Sequence, residues 1–269
     1  MGTDDAGRRQ YIYHPVWVEK RAAEKYDRVL RFGKRLPQVR ERVLGDLREE
    51  GLSVEHACAL AVRLLDVGYF RIGNDVYAEE NGSFGLTTLE RQHVRRRGGS
   101  LVFEFTGKSG IEHRIEIEDP LIVETLERMR RRRSTDPSLL VFRNGRGWGS
   151  LTPTHVNGYL REVSGMDATA KDFRTWHATV IAAAALAQAP GPEATKTARK
   201  RAVTAVMRQV ADYLGNTPAL ARSAYVDPRV VDAYEEGRTI RAATRRTFDD
   251  PDARQAALER ATLRLVLSR

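Results

Sequence analysis

"LGNTPALARSAY", residues 214–225, sets a Gly-Asn-Thr-Pro turn ahead of a run of small residues that ends on Tyr225. Two readings of that tyrosine compete. In one, its ring fills a core, as buried tyrosines ordinarily do. In the other, its phenol is held up as a nucleophile. The rest of the chain decides between them, and with it the fold.

The chain has 269 residues, of which 41% are hydrophobic, enough for one large domain or two modest ones. Its net charge of +9 points to a polyanionic partner, with nucleic acid the commonest case and an anionic membrane the rival. No apolar run reaches bilayer length; "IAAAALA" is too short, and no signal peptide opens the chain. A single cysteine, Cys58, excludes an intrachain disulfide and fits a reducing cytosol. The helical periodicity around it predicts a buried small hydrophobe.

Upstream of the opening stretch the pattern is mostly helical. Residues 1–14 are polar and read as a linker or arm. "PVWVEKRAAEKYDRVLRFGKRL" has apolar residues at three- and four-residue steps. "PQVRERVLGDLREE" opens on a proline suited to a helix first turn, which predicts a second helix there. "SVEHACALAVRLLDVGYF" opens on a serine N-cap. The period then shortens: "SLVFEFTG" and "IEHRIEIED" alternate around "TGKSG", a hairpin with Lys108 in its turn, and "GLTTLERQHVRR" supplies a third strand. Helices return after residue 120, interrupted by "RNGRGWGS", read as a glycine-rich loop, with stops at Gly165 and Gly215 and a last helix in "DARQAALERATLRLVL". The expected fold class is therefore α+β, mainly α-helical, with one small antiparallel three-stranded sheet. The absence of βαβ alternation, of a phosphate-binding G-x-x-x-x-G-K-[ST] loop and of a cysteine–histidine cluster argues against a nucleotide-binding core or a metal centre.

Several residues carry chemistry in this frame. The planar fork of Arg71 suits a phosphate; a solvated surface arginine is the alternative. Lys108 at a hairpin tip can reach a DNA backbone or lie in solvent. Lys171 and Arg174 stand where a helix begins, a place that favours anions, unless they pair with local acids such as Asp172. The basic runs at Arg95, Arg96 and Arg97 and at 130–133 either line a duplex or end solvated elements.

The order arginine, hairpin lysine, helix-start arginine, tyrosine resembles the catalytic domain of type IB DNA topoisomerases, the small bacterial and poxvirus-like branch. "RIGNDVYAEENGSFGLTTLERQHV", "VFEFTGKSGIEHRIEI", "KDFRTW" and "LGNTPALARSAYVDP" are similar to that family's four boxes and stand in the family's order. The resemblance implies the tyrosine recombinase/type IB topoisomerase catalytic fold over residues 15–269. It implies Arg71, Lys108, Arg174 and Tyr225 as the catalytic set, with Asn216 where many members have histidine. An amide there still donates a hydrogen bond but carries no charge. It also implies Tyr77, Lys171, Arg95, Arg96 and Arg97 as DNA contacts, double-stranded DNA as partner, no metal, no cofactor and no membrane. A monomer in the cytoplasm, associated with the nucleoid, is expected. Family members carry a small N-terminal domain that closes over the duplex; almost nothing precedes "GRRQYIYHPVW" here, which reads as a catalytic fragment or a variant without that clamp. Two rivals remain: a tyrosine site-specific recombinase, which would usually show histidine at Lys171 and histidine or tryptophan at Asn216, and a basic DNA-binding module with a decayed site.

Overall fold

The computed structural model describes residues 2–3, 9–10, 15–73, 82–191 and 193–268. Two short strands, β1 (Gly2–Thr3) and β2 (Arg9–Gln10), pair antiparallel ahead of the body. Helix α1 (Pro15–Arg48) follows as a single element. The helix break expected at Pro37 does not occur, because Pro37 lies inside α1. A mid-helix proline costs about 3 kcal/mol through a lost hydrogen bond and a ring clash. Against that cost stands one apolar stripe running through the proline: Val29, Leu30, Phe32, Leu36, Val39, Val43 and Leu47 are all buried. Each such side chain contributes about 1.5–3 kcal/mol when fully buried, so the stripe outweighs the proline.

Helix α2 (Val54–Gly68) begins where the Ser53 hydroxyl accepts from the His56 amide and ends on Tyr69, a non-glycine residue in the left-handed region at φ 55°. Cys58 is buried in it, as its periodicity predicts. The three-stranded sheet is antiparallel in the order β3 (Val94–Arg97), β4 (Ser100–Thr106), β5 (Glu112–Ile117). Its register sets Phe105 opposite His113 and Thr106 opposite Glu112, and Lys108 opens the turn that joins them. Helix α3 (Pro120–Arg130) is capped by Asp119. The "RNGRGWGS" segment is not a loop: β6 (Val141–Asn144) and β7 (Gly147–Ser150) form a second hairpin.

Helices α4 (Pro153–Ser164), α5 (Ala170–Leu186) and α6 (Lys196–Leu214) complete the centre. Gly165 and Gly215 end α4 and α6 in left-handed conformation, as their positions predict. Helix α5 is buried on nearly every face, and α1, α2, α6 and the later helices pack around it. Its Trp176 lies so close to α1 that a Cβ on Gly33 would sit 2.9 Å from the indole. One turn of helix (Pro218–Leu220) and a π-helical turn (Ala221–Tyr225) lead into α7 (Pro228–Glu235); a further turn (Arg241–Thr244) precedes α8 (Pro251–Leu267).

A buried polar network ties these layers together. Arg40 of α1 grips Asp66 of α2 at 2.7 and 2.9 Å and Glu259 of α8 at 2.8 and 2.9 Å, and His177 of α5 bonds Asp66 at 3.1 Å. Burial alone would raise the Asp66 carboxyl; the bonds from Arg40 and His177 override it and hold the group well below the usual carboxylate range. His177 also meets the Tyr69 ring edge-on at 4.9 Å. The network therefore reaches the strained end of α2, one residue before the first candidate functional arginine's neighbour Phe70.

Candidate active site

The turn after α6 brings Tyr225 to its place. Gly215 reverses the chain, the Asn216 amide bonds back to the Ala211 carbonyl at 2.9 Å, and the Thr217 hydroxyl caps the next turn at the Leu220 amide. The small side chains matter at Ala221, which has no exposed surface and seats the π-turn on the core. The Val226 amide closes that turn on the Ala221 carbonyl at 3.0 Å. Thr179 of α5 ties down its exit: its hydroxyl receives the Asp227 amide at 3.1 Å. The Tyr225 side chain remains half-buried. π-Turns of this kind are rare and frequent at functional sites.

Two guanidiniums stand beside the tyrosine. Arg174 is buried, donates to the Tyr69 and Leu214 carbonyls at 2.6 Å each, and holds its carbon 5.5 Å from the centre of the Tyr225 ring. Arg71 donates to the Gly215 carbonyl and to Asn216 Oδ1, both at 2.6 Å. Burial, then the charge of Arg71, lowers the Arg174 pKa to about 10; the Tyr225 oxygen pulls the other way. Burial also lowers Arg71, again opposed by Tyr225. Arg174 stays a cation at neutral pH. Among the described residues, Arg174 Nε and Asn216 Nδ2 are buried donors with no acceptor. A buried donor left unpaired costs about 1–3 kcal/mol, a cost that an acceptor oxygen reaching either group would remove. A cavity of 430 Å³ opens beside them, lined by Tyr69, Arg71, Phe105, His113, Arg174 and Tyr213.

Arg71, Arg174, Asn216 and Tyr225 therefore converge. Lys108 does not touch them: it is exposed on the β4–β5 turn, and no hydrogen bond or ion pair holds it among the described residues. Lys171 is exposed on the first turn of α5. The expectation that Asp172 might neutralise Lys171 or Arg174 is not met, because Asp172 is engaged by Arg28 of α1 at 2.9 Å and caps the Thr169 amide at 2.8 Å. Arg95, Arg96 and Arg97 are exposed on β3; Arg95 pairs with Glu104 at 3.0 Å and Arg97 with Glu116 at 3.9 Å. The 130–133 run divides: Arg132 is buried on the carbonyls of Met129, Asp136 and Ser138, whereas Arg131 and Arg133 are exposed. Tyr77 lies outside the described residues. No cluster of three His, Cys, Asp or Glu side chains able to hold a metal ion occurs among the described residues, and none of their helices is long and apolar enough to cross a membrane.

Two residues went unnoticed in the sequence. His113 of β5 packs against Gly215, in the turn that leads to Tyr225. Lys25 of α1 donates to the carbonyl of Ala224, the residue before Tyr225. Burial, then the charges of Lys171 and Arg28, lowers Lys25 to about 8, while Asp172 and Asp227 oppose them. It is thus largely protonated at pH 7 and loses its charge as pH rises through 8. If the site cleaves DNA as the resemblance implies, Lys25→Met should slow single-turnover cleavage about two- to twelvefold, the range set by losing a hydrogen bond of about 0.5–1.5 kcal/mol that fixes the turn, with DNA affinity unchanged. A gel-based cleavage time course beside a binding titration checks this.

Two guanidiniums and an amide near a phenol can bind the oxygens of a phosphate and set it beside a hydroxyl. Residues 15–247 match the family described as eukaryotic DNA topoisomerase I, catalytic core. DNA topoisomerase 1B of Acanthamoeba polyphaga mimivirus is 25% identical over 241 residues, covering 87% of this chain and 71% of that protein. DNA topoisomerase 1B of Vaccinia virus (strain Copenhagen) is 20% identical over 263 residues, covering 93% and 76%. DNA topoisomerase 1 of Schizosaccharomyces pombe is 29% identical over 170 residues, 62% of this chain and 20% of that protein. The chain belongs to the DNA topoisomerase I catalytic-core family. These relatives are viral and fungal, so they support the poxvirus-like side of the resemblance and not its bacterial side. They do not favour the recombinase alternative.

Proposed function

We propose that the protein is a type IB DNA topoisomerase that relaxes supercoiled duplex DNA through a transient break in one strand. Tyr225 Oη attacks a backbone phosphorus, the bond to the 5′-oxygen breaks, and a 3′-phosphotyrosyl ester forms. The phenol proton leaves to solvent, and the 5′-oxygen takes a proton from the Lys108 ammonium. Arg71 and Arg174 hold the non-bridging oxygens as charge builds, and Asn216 adds a neutral donor. The broken strand swivels; the 5′-hydroxyl then attacks the ester and restores both the strand and the phenol. The ester keeps the bond energy, so resealing draws on no nucleotide. The observation that carries this reading is the buried Arg174 guanidinium, 5.5 Å from the centre of the Tyr225 ring and with its Nε left without an acceptor.

Under the same proposal Lys171, Tyr77, Arg95, Arg96 and Arg97 contact the duplex. Arg95 and Arg97 would exchange Glu104 and Glu116 for phosphates, so removing one of them should lower the log–log salt slope of binding by about 0.9. The protein acts as a monomer on nucleoid DNA in the cytoplasm, and Asn216 supplies a neutral hydrogen-bond donor where many members of the family have histidine. The deciding experiment is relaxation of a supercoiled plasmid with no specific site, in excess chelator and without ATP. Complete relaxation supports the proposal; relaxation only of plasmids bearing paired sites would favour a recombinase, and none at all would favour a DNA-binding module.

A further inference from the structure

We infer that His113 is a positioning residue, a wedge that locks the Lys108 hairpin to the nucleophile loop and so aims Lys108. The inference rests on the reading of Lys108 as the proton donor for cleavage.

The imidazole is held on three sides. Phe105, its cross-strand partner in the β4–β5 register, stacks on it at 5.1 Å with the rings 23° apart. Its Cδ2–Nε2 edge faces Gly107: a Cβ built there would lie 2.5 and 2.6 Å from those atoms. Its Cε1 corner faces Gly215, where a Cβ would lie 2.6 Å away. Gly107 immediately precedes Lys108 and closes the turn by bonding the Ile111 carbonyl at 2.8 Å. Gly215 immediately precedes Asn216, and its carbonyl accepts from Arg71 at 2.6 Å. One ring therefore touches the backbone beside the hairpin lysine and the backbone that holds Arg71 and Asn216.

The two glycines differ in a useful way. Gly215 has φ +57°, a conformation that favours glycine regardless of space. Gly107 has φ −96°, which any residue adopts. At Gly107 the imidazole is what an added Cβ would crowd, since the next nearest atom, the Ile111 carbonyl oxygen, would lie 3.5 Å away. The electrostatics agree. The Arg71 and Arg174 guanidiniums face the ring from the loop after α2 and from α5. Glu112, Arg114 and Glu116 flank it on β5, and Asp212 and Tyr213 line the same cavity from α6. Burial, then Arg71 and Arg174, lowers the imidazole below its ordinary value of about 6.5, with Glu112 opposing. The ring is neutral at pH 7. Protonation on acidification sets a third positive charge against two guanidiniums and loosens the wedge, so His113 adds an acid limb to cleavage.

The experiment measures single-turnover cleavage of a suicide duplex carrying either the ordinary 5′-oxygen or a bridging 5′-sulfur. Sulfur leaves without a proton, because thiols titrate near ~8.5. DNA binding is measured in parallel, and a melting curve reports folding. Gly107→Ala should slow cleavage of the ordinary duplex by roughly 10- to 100-fold, the scale of a misplacement near 1 Å, and the double variant with His113→Ala should regain part of the rate, because the added methyl then has room. His113→Ala alone should be slow on the ordinary duplex and near wild type on the sulfur duplex. His113→Phe keeps the stacked ring, so it should cleave at pH 7 and lose the acid limb. The lock is overturned if removing the imidazole gives Gly107→Ala no relief. If Lys108→Ala is rescued by sulfur but His113→Ala is not, the histidine does not aim the lysine. If Lys108→Ala itself is not rescued, the reading of Lys108 as proton donor fails, while partial recovery in the Gly107→Ala, His113→Ala pair still reports the mechanical lock.

Discussion

Tyr225→Phe should bind duplex DNA with the affinity of the parent protein and form no covalent adduct with it. The substitution removes one oxygen and nothing else. The ring still lies beside Arg174, whose carbon is 5.5 Å from its centre. The turn that carries it is held by backbone: Val226 on Ala221, Asp227 on Thr179, Ala224 on Lys25. None of these bonds involves the phenol. Stability should therefore move by no more than about 0.5–1.5 kcal/mol, the net worth of one hydrogen bond, that between the phenol and Arg174. Cleavage is a different matter, because loss of a nucleophile in a covalent mechanism costs on the order of 10⁶-fold. A denaturing gel with end-labelled duplex reads both outcomes. A covalent band surviving in Tyr225→Phe moves the nucleophile to another residue, and a loss of binding would mean that the phenol holds the DNA rather than attacking it.

The parts of this structure that were legible in the sequence are those with local causes. Ser53, Gly165 and Gly215 mark helix ends because a cap is written within a few residues of the turn it makes. The β4–β5 hairpin is legible because alternation and a Gly-Lys-Ser-Gly turn lie side by side. The β6–β7 hairpin hid behind its glycines. Gly149 leaves room for Phe142, whose nearest ring atom would lie 2.7 Å from a Cβ at that position, so the position that seats the aromatic ring shows no side chain of its own. The signal was nonetheless there: Asn144 pairs with Gly147, so Gly145 and Arg146 make a two-residue loop with glycine at its first position, at φ 58°, as a tight hairpin turn favours.

What stayed out of reach depends on chains that meet far from each other in sequence. Asp172 looks like the natural partner of its neighbours Lys171 and Arg174, yet Arg28, 144 positions away, takes it. That exchange is consequential for the site, because it leaves Arg174 to bind carbonyls and keep its charge uncompensated. Pro37 favours a helix start by its local preference, and the long apolar stripe on α1 prevails over that preference. Lys25 and His113 belong to the same class: each acts on the nucleophile loop from another element, and neither carries a local motif. The four-box order could identify Arg71, Lys108, Arg174 and Tyr225 as candidates; only the fold shows which of them meet in the free protein. Lys108 stands apart, and its role must be tested in the presence of DNA.

Lys108→Ala should slow cleavage of ordinary duplex by about 10²–10⁴-fold, the range expected when a general acid is lost. The 5′-oxygen departs as an alkoxide, whose conjugate alcohol is a very weak acid, so expulsion without a proton is slow. An ammonium on an exposed turn between β4 and β5 can supply that proton once the hairpin meets the duplex. Replacing the bridging 5′-oxygen with sulfur removes the need, because a thiolate leaves unaided. On that substrate Lys108→Ala and the parent protein should cleave at nearly equal rates. Arg174→Ala supplies the contrast. Its guanidinium is buried beside Tyr225, and its role under the proposed mechanism is to stabilise charge on the phosphorus oxygens, which develops whichever atom leaves. Arg174→Ala should therefore remain impaired on both substrates, by roughly the 10²–10³-fold assigned to one lost donor to a developing oxyanion. If sulfur leaves the defect of Lys108→Ala unchanged, the lysine binds phosphate and another group delivers the proton; if sulfur rescues Arg174→Ala equally, the two cations act together on the leaving group and the separation of roles drawn from their places in the fold is wrong.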